Sequence, residues 1–215
     1  IKAISFTGST RAGERIASIA APMFKKLSLE LGGKNPNIIF ADCDWEKMMK
    51  TTIRSSFSNQ GQICLCGSRI LIEASVYEKF KTEFVERTKQ LSIGDPLIDQ
   101  HKQGAIVSKM HFDKVMNCIK LAKEEGGKIL CGGNSITPTG RCSGGYFIEP
   151  TIIENLGPTC KTNTDEIFGP VVTLQPFNTT EEAIELANAT EYGLAATIWT
   201  QDISKASRTA MKVQS

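Results

Sequence analysis

The sequence has few of the residues that most sharply advertise a function. It carries only 2 histidines and 2 tryptophans, and aromatics make up 7% of its 215 residues. Its net charge is +2, with lysines and arginines interspersed among acids. That distribution gives no basic patch for nucleic acid and excludes a charge-driven polyanion binder. No apolar run approaches the ~18 residues that would span a bilayer. The opening residues read as a strand rather than as a signal peptide. A disulfide framework is missing as well: the 7 cysteines (Cys43, Cys64, Cys66, Cys118, Cys131, Cys142 and Cys160) are odd in number and irregularly spaced. They read as free thiols in a reducing, cytoplasmic compartment. Cys64-Leu65-Cys66 has no second Cys/His pair at ligand spacing, which argues against a zinc site.

What is present is an ordinary globular composition, 40% hydrophobic and 22% charged, enough for one large domain or one domain and part of another. The first residues lie within an apolar strand pattern and the last within or just after a helical one. This predicts a piece of a longer protein.

Residues 57–69 organise the rest. Two thiols sit in a Gly-flanked segment between a predicted helix over 46–57 and a predicted strand over 69–72. Gly61 and Gly67 allow backbone conformations that side chains resist, and they let a ligand approach the main chain. Cys64 in such a segment is a candidate nucleophile with backbone N–H groups near whatever it attacks. On these residues alone a buried structural thiol is the commoner reading.

In chain order, residues 1–6 read as a buried strand. Gly8-Ser9-Thr10-Arg11-Ala12-Gly13 follows, and then a helical pattern through Met23. Strand, Gly-containing turn and helix N-terminus form an anion cradle, or a plain connection. A second strand over 26–31 contains Glu30 between Leu29 and Leu31, immediately before Gly32-Gly33. If buried there, Glu30 would have a raised pKa suited to a general base; alternatively it pairs with Lys26 or Lys34. Ser75-x-x-Glu78 reads as a capping box opening a helix to about residue 91, with Phe80 and Phe84 inward and Glu83–Arg87 as an exposed pair. A helix over 108–125 is closed by Gly126-Gly127. His101 and His111 lie in polar helical surface and read as solvated. A thiol hydrolase, which would pair Cys64 with a His base, therefore lacks a motif. Residues 146–153 read as one strand. Asp165-Glu166-Ile167-Phe168-Gly169-Pro170 sets an acid and an aromatic before a rigid turn into strand 171–174. Strands alternating with helices predict an α/β fold with a mainly parallel sheet and flanking helices.

Taken in order, Phe6-Thr7-Gly8-Ser9-Thr10, Leu29-Glu30-Leu31-Gly32-Gly33-Lys34, Asn59-Gln60-Gly61-Gln62-Ile63-Cys64, Gly145-Tyr146-Phe147-Ile148-Glu149-Pro150-Thr151, Glu166-Ile167-Phe168-Gly169-Pro170 and Tyr192-Gly193-Leu194 resemble the aldehyde dehydrogenase superfamily. The Ile-Cys-Leu-Cys form around Cys64 is most similar to its muconic semialdehyde branch. The resemblance implies Cys64 as nucleophile and Glu30 as general base. It implies Thr7, Gly8, Ser9, Gly13, Leu31, Glu166 and Phe168 as cofactor contacts. The cofactor would be NAD, with NADP open because the discriminating residues would precede Ile1. The substrate would be a small-molecule aldehyde, and the parent protein a homo-oligomer. Residues 1–31 would end a dinucleotide-binding domain, and 32–215 would form most of the catalytic thiol domain. Such a piece on its own is expected to turn over little or nothing.

Overall fold

The computed structural model describes residues 1–215. Strand β1 (Ala3–Thr7), helix α1 (Thr10–Ala20) and strand β2 (Lys26–Glu30) form a parallel unit in which β1 pairs only with β2. The chain then enters β3 (Pro36–Ile39), α2 (Trp45–Phe57), β4 (Arg69–Glu73), α3 (Tyr77–Lys89), α4 (Lys109–Glu124) and β5 (Lys128–Cys131). A short hairpin of β6 (Ser135–Ile136) and β7 (Phe147–Ile148) precedes β8 (Thr151–Glu154), α5 (Lys161–Thr164), β9 (Val171–Phe177), α6 (Thr180–Ala187), β10 (Thr197–Trp199) and α7 (Ile203–Ala210). The main sheet has six strands in the order β10-β3-β4-β9-β8-β5. All neighbours are parallel except β5 and β8. The predicted α/β class holds.

The central strands are apolar runs because helices cover both faces. Ile39, Ile70, Ile72, Val172 and Leu174 pack against Met48, Met49 and Phe57 of α2 and Phe80 and Phe84 of α3. Alternate residues Ile38, Leu71 and Phe177 face Ala183, Ile184 and Ala187 of α6. Fully buried side chains of this size contribute roughly 1.5–3 kcal/mol each. A third cluster joins Val115, Ile119 and Ala122 of α4 to Ile153 and Val171. It fixes α4 against the end of the sheet that carries the 165–170 turn.

Four expectations need correction. Strand β1 is not buried; it alternates between exposed and half-buried residues, because the two-stranded unit has only α1 to cover it. Ser75 does not cap α3. It bonds Glu73 at 3.0 Å, because a 3-10 turn over Ala74–Val76 precedes the helix. Residues 146–153 are two strands in different sheets: Pro150, which has no N–H for a ladder, separates β7 from β8. Glu83 and Arg87 are not a freely exposed pair. Arg87 also reaches Glu46 with distances of 2.8 and 2.5 Å, tying α3 to α2.

Candidate active site

Helix α2 ends at Phe57 and the chain turns through three successive left-handed residues, Asn59, Gln60 and Gly61, at φ 49, 56 and 67°. Two of these carry side chains, at roughly 1–2 kcal/mol each. Surrounding bonds hold them there. Gln62 N–H donates to Asn59 O at 3.0 Å, Asn59 Nδ2 donates to Gln62 O at 3.1 Å, and the Gln62 side chain accepts from Val107 N–H at 3.0 Å. Gly61 is obligatory, since a Cβ there would overlap the Gly169 carbonyl. Gly67 serves differently from the expectation. It is absent from the left-handed residues, and a Cβ would sit 3.0 Å from Ser55 Oγ, so its part is close approach.

The left-handed run delivers the chain into a tight turn closed by Cys66 N–H to Ile63 O at 3.0 Å. Cys64 occupies the first corner and is half-buried, whereas Cys66 is buried. Burial pushes the Cys66 thiol up to about 11, keeping it neutral and unreactive at neutral pH. The N–H groups of Cys64 and Leu65 form no backbone hydrogen bond within the chain, so donors are available beside the Cys64 sulfur. Asn35, which the sequence reading passed over, anchors this turn from behind. Its Nδ2 donates to Cys64 O at 2.7 Å and to Cys66 O at 3.0 Å.

Deeper still lie two buried cations. Arg69 donates to Lys34 O (2.8 Å), Leu186 O (2.6 Å) and Ala187 O (2.7 Å), which places its charge at the carbonyl end of α6. Lys34 is 1% exposed and its ammonium has no hydrogen-bond partner. Burial, and then the neighbouring Arg69, lowers its pKa to about 8.

A cavity of about 490 Å³ opens in front of Cys64. The turn from β1 into α1 supplies Thr7, Gly8 and Ser9; the exit from β2 supplies Leu31 and Gly32; the thiol turn supplies Gln62, Ile63 and Cys64; and the far wall is His111, Lys114, Glu166 and Phe168. Ser9 caps α1, its Oγ accepting from Ala12 N–H at 3.3 Å, and the remaining first-turn N–H groups have no partner inside the helix. Glu166 accepts from Gly33 N–H at 2.9 Å. Its other carboxylate oxygen lies 2.6 Å from where a Gly32 Cβ would stand. Lys114 donates to Glu166 O at 2.9 Å. His111 Nε2 lies 2.6 Å from Phe168 O. A carbonyl only accepts, so Nε2 carries the proton. Two residues three apart on α4 thus clamp a segment in which Phe168 is left-handed, at φ 59°.

The structure brings Cys64 together with every cofactor candidate except Gly13. Gly13 is buried under Leu31, where a Cβ would overlap the leucine side chain; it seats α1 against β2 instead of facing the cavity. Glu30 is exposed and does not line the cavity. The expected burial fails because β2 pairs only with β1 and Glu30 falls on an exposed position of its alternation. The two histidines are not solvated surface. His111 lines the cavity, and the half-buried His101 ring lies against Gly94, within 2.7 Å of the position of a Cβ there. On α4, His111 lies one turn before Val115 at the edge of the apolar stripe of Val115, Ile119 and Ala122, and Lys114 lies one step further round the helix.

Comparison with known proteins decides what this arrangement belongs to. The pattern described as Aldehyde dehydrogenase family matches residues 1–215. The chain belongs to the aldehyde dehydrogenase family. It is 47% identical over 214 residues to 2-aminomuconic semialdehyde dehydrogenase of Mus musculus, covering 99% of this chain and 44% of that protein. It is 42% identical to 4-trimethylaminobutyraldehyde dehydrogenase A of Danio rerio, covering 98% of this chain and 42% of the other. Among solved aldehyde dehydrogenases, betaine aldehyde dehydrogenase from Staphylococcus aureus in complex with NAD+ superposes with a TM-score of 0.94 at 38% identity. That match covers 100% of this chain and 42% of that one. The chain thus spans less than half the length of these family members.

Proposed function

We propose that this chain carries the thiol side of an NAD-dependent aldehyde-oxidising site. The single observation that supports it is the shared cavity, where a turn-mounted Cys64 faces the Thr7–Gly8–Ser9 turn, Leu31, Glu166 and Phe168. The residues fit a dinucleotide. The first-turn N–H groups of α1 suit a pyrophosphate. The carboxylate oxygen of Glu166 pressed against Gly32 suits a ribose hydroxyl, and Leu31 and Phe168 give apolar walls for a nicotinamide. NAD, when bound, supplies a hydride acceptor; NADP stays open, as neither reading rests on a 2′-phosphate contact here.

On this reading the Cys64 thiolate adds to the aldehyde carbon. The resulting thiohemiacetal oxyanion takes hydrogen bonds from the N–H groups of the thiol turn. Loss of hydride leaves a thioester on Cys64, and water releases the carboxylic acid. Glu30, beside cavity-lining Leu31, is assigned as the base that activates this water. Residues 1–31 are taken as the end of the dinucleotide-binding unit and 32–215 as the thiol domain. The substrate is assigned as a semialdehyde of the muconic type, by similarity to the 2-aminomuconic enzymes, and the parent protein as a homo-oligomer of the cytoplasm.

The test is thiol labelling read by mass spectrometry across pH, with and without NAD and NADP, alongside aldehyde-dependent reduction of each nucleotide. Cys64 is expected to label fastest and to respond to one nucleotide. A Cys64 that labels like Cys118 and Cys131 and ignores both nucleotides overturns the assignment. The 215-residue chain alone is expected to show little or no turnover.

A further inference from the structure

We propose that Arg54 selects aldehydes bearing a remote carboxylate and disfavours those bearing a quaternary ammonium; this rests on the proposed aldehyde-oxidising role of Cys64. A second groove, of about 440 Å³, opens beside the thiol turn. Its floor is Ile63, Leu65 and Cys66, and its wall is Thr51, Arg54, Ser55 and Ser58. Those four positions follow the i, i+3, i+4, i+7 spacing of one helical face, running down α2 towards the left-handed turn. Ile63 lines both this groove and the cavity that holds Cys64, so a substrate lying in the groove passes Ile63 to reach the sulfur.

The groove is chemically one-sided. Arg54 is its single charged residue, and it contains no aromatic ring and no acid. A quaternary ammonium is recognised by aromatic faces or carboxylates, neither of which is offered. A guanidinium matches a carboxylate in a two-point fork. Arg54 is exposed, and none of the chain's ion pairs engages it, unlike Arg87 and Arg141. Its placement relative to the thiol turn is fixed by its neighbours. Ser55 Oγ accepts from Gly67 N–H at 3.1 Å, and Ser56 Oγ donates to Gly67 O at 3.3 Å.

The experiment uses the full-length protein containing this chain with saturating nucleotide. It compares kcat/KM for three aldehydes of equal length ending in a carboxylate, a methyl ester and a trimethylammonium group. The wild type is expected to prefer the carboxylate. In Arg54→Gln the carboxylate-to-ester preference should fall roughly 10- to 100-fold, the range for charge-assisted hydrogen bonds; Arg54→Lys should recover part of it. Arg54→Glu should turn the order towards trimethylammonium. Equal losses on all three substrates, or a wild type that prefers trimethylammonium, overturn the role of Arg54 while leaving the thiol chemistry intact. Oxidation of none of the three by the wild type removes the underlying reading and this proposal with it.

Discussion

The two walls of the cavity are built to different standards. On one side, β3 and β8 have every residue buried, and the thiol turn hangs from that sheet through Asn35, Gly61 and Gly67. On the other, β1 and β2 have no buried residue at all, and their turn carries Thr7, Gly8 and Ser9. The difference teaches where precision is needed. On the proposed function a nucleophile must meet a carbon within a few tenths of an ångström, and the wall that carries Cys64 is part of a covered core. On the same proposal a helix N-terminus that receives a flexible anion tolerates movement, and the wall that carries Ser9 is a half-exposed edge.

The largest expected effect removes the chemistry and leaves both walls standing. Cys64→Ala should lower turnover of the full-length protein by at least about 10⁴-fold without changing its melting temperature by more than a degree or two; activity that survives would move the nucleophile elsewhere. Gly61→Ala attacks the strong wall directly, through its clash with Gly169 and its positive φ. We expect a loss of about 3–5 kcal/mol, read by denaturant unfolding, and an unchanged stability would mean that the left-handed run is not held as described.

Lys34→Met should act in the opposite direction. The folded pKa of about 8 lies below the unfolded value of 10.5, so between those values the unfolded chain binds more protons. Native stability therefore rises as pH climbs from about 8 to 10.5, and the penalty of the buried ammonium is fully present at pH 7. The methionine variant should be more stable at pH 7 by about 2–3 kcal/mol, with the gain shrinking by pH 10. A gain that does not depend on pH would show that packing, not charge, is responsible.

Asn35→Ala withdraws both bonds to the thiol turn at a cost of about 2 kcal/mol, and Cys64 labelling should change more than labelling of Cys131. Ser9→Ala should be smallest, about 1 kcal/mol from the lost cap. Its effect should appear as faster hydrogen exchange confined to 1–31; exchange rising equally in β4 and β9 would erase the contrast between the walls.

What could be read beforehand follows the same contrast. Cys64, Thr7, Gly8, Ser9, Leu31, Glu166 and Phe168 lie in compact motifs, and each reached the cavity. Strands β4 and β9 of the main sheet were legible because β-branched runs between turns leave little choice, whereas β8 was run together with β7 and β5 was not read. The burial expected of Glu30 failed because burial is a property of neighbours, and its strand has a neighbour on one side only. Gly13 does not line the cavity for the converse reason, since Leu31, from the segment after β2, packs against it. Asn35, His111 and Lys114 were missed because their work lies in bonds to residues 29 to 57 positions away, and no local pattern records such a partner.

The interlock of Gly61 with the Gly169 carbonyl also sets an order in time. Half the chain separates the two glycines, so a ribosome that has just released the thiol segment has not yet made the strand that shapes it. Left-handed residues in succession cost energy that the short-range bonds between Asn59 and Gln62 only partly offset, and closing so long a loop is slow. During synthesis the Cys64 segment thus waits for its long-range support. It gains that support only when Gly169, just ahead of β9, is seated against Gly61, so the thiol turn is among the last parts of the fold to be fixed.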